Sequence, residues 1–253
     1  MTTHTNRSHV MNMTWARLCF LHWRVPVETL RPLIPASLEI DTFEGDAWVG
    51  VVPFEMQDVR FRFSPPIPTA HRFPELNLRT YVRHGNRTGV WFFSLDASSR
   101  LSVAGARATF SLPYMNARMQ ILEPETPDAW TDFASERTHR NEPPARFQGR
   151  YRPSGPKFLT KPDTLESFLT ERYSLFAQAG FGVPKRRVGG ALRSSLLCGE
   201  IEHEPWPLQP AEVELEHCDM FRLIGLDGPP HNEPLAHYAE SVPVRAFRPV
   251  AVK

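Results

Sequence analysis

A chain of 253 residues, 41% hydrophobic and 23% charged, has the length of one large domain or two small ones, and a globule of that size folds without disulfide or metal. Its formal net charge of +1 offers little long-range attraction to nucleic acid or anionic lipid, and no run of about 18 apolar residues is present to span a membrane. The polar start lacks a signal pattern. The three cysteines, Cys19, Cys198 and Cys218, form no CxxC pair, so they read as reduced core thiols in a cytoplasmic protein.

Residues 1–12 are expected to be a flexible N-terminus ahead of a single domain over 13–250. Twenty-five prolines remove backbone donors and fix φ, which excludes long helices and favours short strands with irregular links. Trp15 to Val25 reads as a strand, followed by a short helix that begins at Pro26 and ends near Pro35. Leu38 to Phe43 alternates apolar and polar, Glu44-Gly45-Asp46 supplies turn chemistry, and Ala47 to Phe54 resumes as a strand, which reads as a hairpin. A proline-rich loop over Ser64 to Pro74 leads into an alternating strand from Glu75 to Arg83. On it Leu76, Leu78 and Val82 share one face and Glu75, Asn77, Arg79 and Tyr81 the other; the second face meets either water or a polar cavity. After a loop at His84 to Gly89, Val90 to Leu95 reads as a strand, Ser99 is placed to cap a short helix through Phe110, and Tyr114 to Leu122 reads as another strand. Glu123 to Pro144 mixes acids, prolines and bases without periodicity and is expected to be a long surface excursion. Strand signals return at Ala145 to Arg152, Tyr173 to Ala177, Ser194 to Glu202 and Val242 to Phe247. Between them a short helix runs from an N-cap at Asp163 to about Thr170, and Gly180-Phe181-Gly182 reads as a turn.

Three segments resemble the acetoacetate decarboxylases. Phe20 to Asp41 looks like that family's strand, arginine (here Arg24), short helix and Val-Pro-x-x-Leu-Glu-Ile-Asp run. Arg107 to Tyr114 resembles its Gly-Arg-Glu-x-x-x-x-Pro-Lys-Lys segment, aligned on Arg107 and Pro113, with Tyr114 standing where that family carries the lysine that forms a Schiff base with a keto acid. His203-Glu204-Pro205-Trp206 is similar to a His-Glu-x-Trp run near its C-terminus. Within that superfamily, Phe73 to Val82, Leu169 to Tyr173 and Gly199 to Leu208 look more like the DUF2071 or YqjF-like branch. The resemblance implies a mainly β (α+β) fold: an acetoacetate decarboxylase-like antiparallel β-cone or barrel, with short peripheral helices outside and a polar cavity within. Closure of that kind removes exposed sheet edges.

Tyr114 cannot form an imine. Its phenol, ordinarily of pKa about 10, either donates to a developing oxyanion or is a buried tyrosine with a satisfied hydroxyl. The chain has only four lysines, Lys157, Lys161, Lys185 and Lys253, and Lys157 and Lys161 read as an exposed loop, a poor setting for Schiff-base chemistry. Arg24 falls inside an apolar strand, where a guanidinium is costly unless paired; its planar fork suits a carboxylate, so it is the leading contact for a small anion, against a structural ion pair with Glu75 or Glu171. Arg79 and Arg107 carry the same two readings. Glu75, Arg79, Glu171, Arg172, Glu200 and His203 each lie beside an apolar strand signal, and either converge as a base and anion clamp or form a network that holds the strands in register. Tyr114 and Glu75 are thus the candidate acid and base, and Arg24, Arg79, Arg107, Glu171, Glu200 and His203 the candidate ligand contacts. No HExxH, Cys/His ligand spacing, GxSxG, P-loop or GxGxxG occurs, so neither a metal nor a cofactor is expected. The functional expectation is a polar cavity for a small organic anion or carbonyl compound, lacking the Schiff-base lysine and so not a decarboxylase. It belongs either to a non-catalytic binding protein or to a lyase- or isomerase-type enzyme, and a homo-oligomer is compatible with both.

Overall fold

The computed structural model describes residues 7–68, 70–126, 128–179, 195–230 and 233–252. Within them the chain runs β1 (Met11–Val25), α1 (Val27–Leu30), β2 (Glu39–Ile40), β3 (Ala47–Phe61), β4 (Phe73–His84), β5 (Arg87–Ala97), α2 (Arg100–Phe110), β6 (Tyr114–Leu122), β7 (Thr131–Arg137) and β8 (Arg146–Pro153). It continues through α3 (Leu165–Thr170), β9 (Ser174–Gln178), β10 (Leu196–Glu202), β11 (Leu208–Cys218), β12 (Leu235–Ala246) and β13 (Val250–Ala251). The strands form one sheet in the order β13-β10-β9-β5-β6-β7-β8-β11-β12-β1-β3-β4-β2, and further pairings β4–β5 and β10–β12 bring the order back on itself. Neighbours are antiparallel except at β5, which pairs in parallel with β6 and β9; α2 carries the chain back from the end of β5 to the start of β6, as a parallel pair requires. Ser99 caps α2 by accepting from the Ser102 N–H at 3.3 Å, as its position ahead of the helix predicts. No helix among the described residues is long and apolar enough to cross a membrane.

Several expectations need correction. Leu38 to Phe43 does not form a hairpin with the following strand: β2 pairs with β4, at Glu39 with Arg83 and Ile40 with Val82, and Phe43 with Asp46 is only an isolated bridge around the Glu44-Gly45 turn, both at positive φ. Glu123 to Pro144 is not an excursion, because β7 lies inside it between β6 and β8. Its buried positions are Thr131, Phe133, Ser135 and Arg137; three of the four are polar, so burial alternates where hydropathy does not. The cap of α3 is Thr164, accepting from Ser167 N–H, with Asp163 one residue earlier at a φ of 64°. The strand β11 is missing from the sequence reading although Ala211 to Glu216 alternates throughout; Pro210 obscures it. That proline sits where β11 leaves β12 for β8, so its missing N–H breaks no ladder. Of the expected leader, residues 1–6 lie outside the described residues, whereas Val10 N–H donates to Ala246 O at 2.8 Å and Met11 and Asn12 pair in β1. The turn at Gly180 to Gly182, Ser194, Lys185, Lys253 and His231 also lie outside them.

Strands β1, β3 and β4 are packed on both faces. Cys19, Leu21, Trp23, Val49, Val51, Leu76, Leu78 and Val82 belong to one apolar core with Phe133, Phe147 and Phe221. The opposite positions Phe20, Val52, Phe54 and Met56 belong to a second, with Leu95, Tyr114 and Trp206. Period-two alternation thus assigns each residue of β4 to a side, and the polar set Glu75, Asn77 and Arg79 falls on the second.

Candidate functional site

A chamber of about 80 Å³ opens in that second face. Its walls are mostly apolar, from Trp15, Phe20, Phe54, Phe92, Leu95 and Trp206, and its polar residues include Glu75, Asn77, Arg79, Tyr114, Arg172 and His203. The volume is about half of a cavity of ~150 Å³ that admits benzene, which restricts an occupant to a few heavy atoms.

At one end Glu75 and Tyr114 form a pair. The phenol hydroxyl of Tyr114 lies 3.1 Å from both Glu75 carboxyl oxygens, and Glu75 is 1% exposed. Burial, opposed by the Tyr114 hydrogen bond and reinforced by the Asp96 charge, pushes the carboxyl up to about 8. Burial and the neighbouring Glu75 carry the phenol well above its ordinary value. A carboxyl buried among apolar walls keeps its proton to neutral pH and is suited to give it up or take it back there. Behind the pair, Asp96 receives Arg137 at 2.7 Å and Ser94 Oγ at 2.9 Å, so the second acid is fully engaged.

The other end is cationic. Arg79, 8% exposed, donates to Leu169 O at 3.2 Å and lies over the Phe20 and Tyr81 rings at 5.4 and 5.7 Å. Among the described residues no carboxylate lies within ion-pair distance of it. Arg172 differs, since it pairs with Asp41 at 2.7 Å and donates to Phe168 O at 2.6 Å. His203 Nδ1 lies 2.7 Å from Glu204 O, which fixes the proton on Nδ1 and leaves Nε2 as an acceptor; burial lowers its pKa and keeps the ring neutral. Four buried polar atoms on lining residues have no hydrogen-bond partner among the described residues: the donors Trp15 Nε1 and Arg79 Nε, and the acceptors Asn77 Oδ1 and His203 Nε2.

Of the eight sequence candidates, Glu75, Tyr114, Arg79 and His203 line the chamber and the other four lie elsewhere. Arg24, expected to be the anion contact, is a correction: β1 has run past the chamber by then, and its side chain, 58% exposed, pairs with Asp46 at 3.2 Å and lies over Trp48. Arg107 sits on α2 and donates to Tyr114 O at 2.7 Å, which anchors the start of β6. Glu171 accepts from Trp206 N–H at 3.1 Å and from the Tyr173 hydroxyl, holding the loop that follows β10. Glu200 ion-pairs with Arg87 at 2.7 Å and with Arg7. Asn77 is legible in the sequence as a member of the Glu75 and Arg79 face, though nothing there singles it out, and the aromatic walls carry no sequence signal that separates them from ordinary core. Lys157 ion-pairs with Glu240 at 2.6 Å, and Lys161 is exposed. Among the described residues no group of three His, Cys, Asp or Glu side chains is placed to hold a metal ion.

The family model for DUF2071, described as "Uncharacterized conserved protein", matches residues 12–243. The chain is 41% identical over 231 residues to the "Uncharacterized protein YqjF" of Bacillus subtilis (strain 168), covering 91% of this chain and 88% of that protein. Among solved structures it is similar to an acetoacetate decarboxylase-like enzyme from Sphingomonas wittichii RW1, with a TM-score of 0.65 at 15% identity over 100% of this chain and 97% of that one. It is also similar to the enduracididine biosynthesis enzyme MppR complexed with pyruvate, with a TM-score of 0.64 at 12% identity over 99% and 93%. A third likeness is to the acetoacetate decarboxylase of Legionella pneumophila, with a TM-score of 0.60 at 13% identity over 100% and 92%. At these identities the likeness establishes the acetoacetate decarboxylase-like fold.

Proposed function

The chain belongs to the DUF2071 family, and on that premise we propose that its chamber binds a small carboxylate or carbonyl compound, with Arg79 holding the anion and the Glu75–Tyr114 pair exchanging a proton with it. The observation that carries this reading is that Arg79 and three other residues lining the chamber each carry an unpartnered buried polar atom. A buried donor or acceptor left unmade costs about 1–3 kcal/mol, and an unpaired buried charge costs more; of the ten such atoms among the described residues, four belong to residues that line this one small space. A carboxylate accepts from Arg79, and a carbonyl or hydroxyl group beside it reaches the protonated Glu75 or the phenol. A MppR structure holding pyruvate supports a ligand of this size in a related fold.

Because the resemblance aligns Tyr114 with the decarboxylase lysine, the chemistry we propose is acid and base transfer without an imine. Protonated Glu75 gives a proton to the developing oxyanion of a ketone, and its carboxylate takes one from the adjacent carbon, so a keto–enol tautomerisation balances with no cofactor. The second reading, binding without turnover, is favoured by the small chamber volume and shares every contact except the proton transfer. Ligand-observed proton NMR with a mixture of short keto acids, aromatic acids and aldehydes, followed over time, separates the two. Saturation transfer with no conversion supports binding alone. New product signals that vanish in Tyr114→Phe support the enzyme, and no transfer from any acid counts against both.

A further inference from the structure

On the outer side of the β10–β11 loop lies an open groove of about 410 Å³ whose lining includes Asn12, Thr14, Asp58, Arg60, Glu204 and Arg245. His203 is the one residue, among the described ones, that lines both this groove and the inner chamber. Its ring is stacked on Tyr173 at 4.7 Å and tilted against Trp206 at 4.8 Å. Trp206 is pinned through its backbone N–H to Glu171 and through Nε1 to Thr170 O at 3.0 Å. The side-chain hydrogen bond of His203, among the described residues, is to the carbonyl of its own neighbour, Glu204, which is exposed. The imidazole, buried and packed on Tyr173 and Trp206, is thus the side chain that the two spaces share among the described residues.

We infer that the site has two compartments: the chamber takes the acid head of the substrate, and the groove, reached past His203, is both its mouth and the subsite for a polar tail. This rests on the reading of the chamber as a carboxylate site. Most of the groove lining is polar, beside Met13, Pro243 and Val244; Arg245 pairs with Glu202 at 3.5 Å, whereas Asp58, Glu204 and Arg60 are outside any ion pair among the described residues, so it suits a tail that carries hydrogen-bonding groups. Nε2 of His203 is an acceptor with no hydrogen-bond partner among the described residues, and a donor on a ligand that spans both spaces would satisfy it.

The test places a thiol inside the chamber with Val52→Cys, whose native side chain lines it and is 1% exposed, and follows its reaction with methyl methanethiosulfonate by peptide mass spectrometry. Adding His203→Ala is expected to speed labelling of the introduced thiol tenfold or more while the partly buried Cys218 reacts as before, and adding His203→Phe to restore the slow rate. Thr14→Trp, which fills the groove, is expected to slow it tenfold. Equal rates in all four proteins would overturn the mouth, and so would a His203→Ala effect shared by Cys218 together with no effect of Thr14→Trp. These rates report access whether or not an acid binds, so they are independent of the carboxylate reading. In saturation transfer, Thr14→Trp is expected to remove the signal of 2-oxoglutarate and keep that of pyruvate; retention of both would overturn the tail subsite.

Discussion

Two buried arginines face the same structural problem and meet it differently. Arg137 is 9% exposed and Arg79 is 8% exposed, each on a central strand. Arg137 donates to both Asp96 oxygens and to Ser94, with the closest contacts at 2.7 and 2.6 Å, and faces packed protein. Arg79 has a backbone carbonyl, the Tyr81 hydroxyl at 3.5 Å, two aromatic rings and a cavity, and no carboxylate among the described residues. The first arrangement is how a fold neutralises a charge for its own sake. On the reading proposed above, the second leaves the charge to be neutralised by a ligand that enters.

The contrast is sharpest in stability. Arg137→Met strands Asp96 in the interior and is expected to cost roughly 3–5 kcal/mol, read as a lower midpoint in urea. Arg79→Met strands no acid, so it is expected to keep the midpoint within about 1 kcal/mol of the native protein, or raise it. The binding ranking reverses: Arg79→Met is expected to weaken a short keto acid about 10- to 100-fold, the worth of a hydrogen bond to a charged group. Equal destabilisation by the two substitutions would break the comparison. Glu75→Gln comes next. The folded carboxyl sits at about 8, above its usual unfolded value near 4.3, so its stabilising share is fully present below that value and is lost as pH rises toward 8. The native midpoint is expected to fall relative to Glu75→Gln across that window, by up to about 1.4 kcal/mol per pH unit, and to run parallel to it above. The smallest effect belongs to Arg24→Ala, expected within about 0.5 kcal/mol and without change in ligand binding, because its ion pair with Asp46 is solvent-exposed.

The alternation of Glu75 to Arg83 made β4 and its polar face legible from residue types alone, and the cap at Ser99 did the same for α2. What hid β7 was chemistry on the inner side: an ion pair and two hydroxyls occupy positions where a sequence reading looks for apolar residues. Arg24 misled for the opposite reason. An arginine among Trp23 and Val25 looks buried, yet it is the outward member of the alternation at the end of β1, and sequence does not reveal where along a strand the cavity stops. The Glu75–Tyr114 contact joins β4 to β6, strands that are not neighbours in the sheet order; such a pairing through the interior has no local signature. The resemblance to the decarboxylases supplied Tyr114, and the face of β4 supplied Glu75, but only the fold brings them together.

The most direct measurement is titration calorimetry of pyruvate into the native protein, Arg79→Met and Arg24→Ala, each first shown to melt cooperatively. Saturable binding that survives Arg24→Ala and is weakened at least 10-fold by Arg79→Met is the predicted result. Binding that is unaffected by Arg79→Met, or that is lost with Arg24→Ala, would contradict the assignment of the chamber as the anion site.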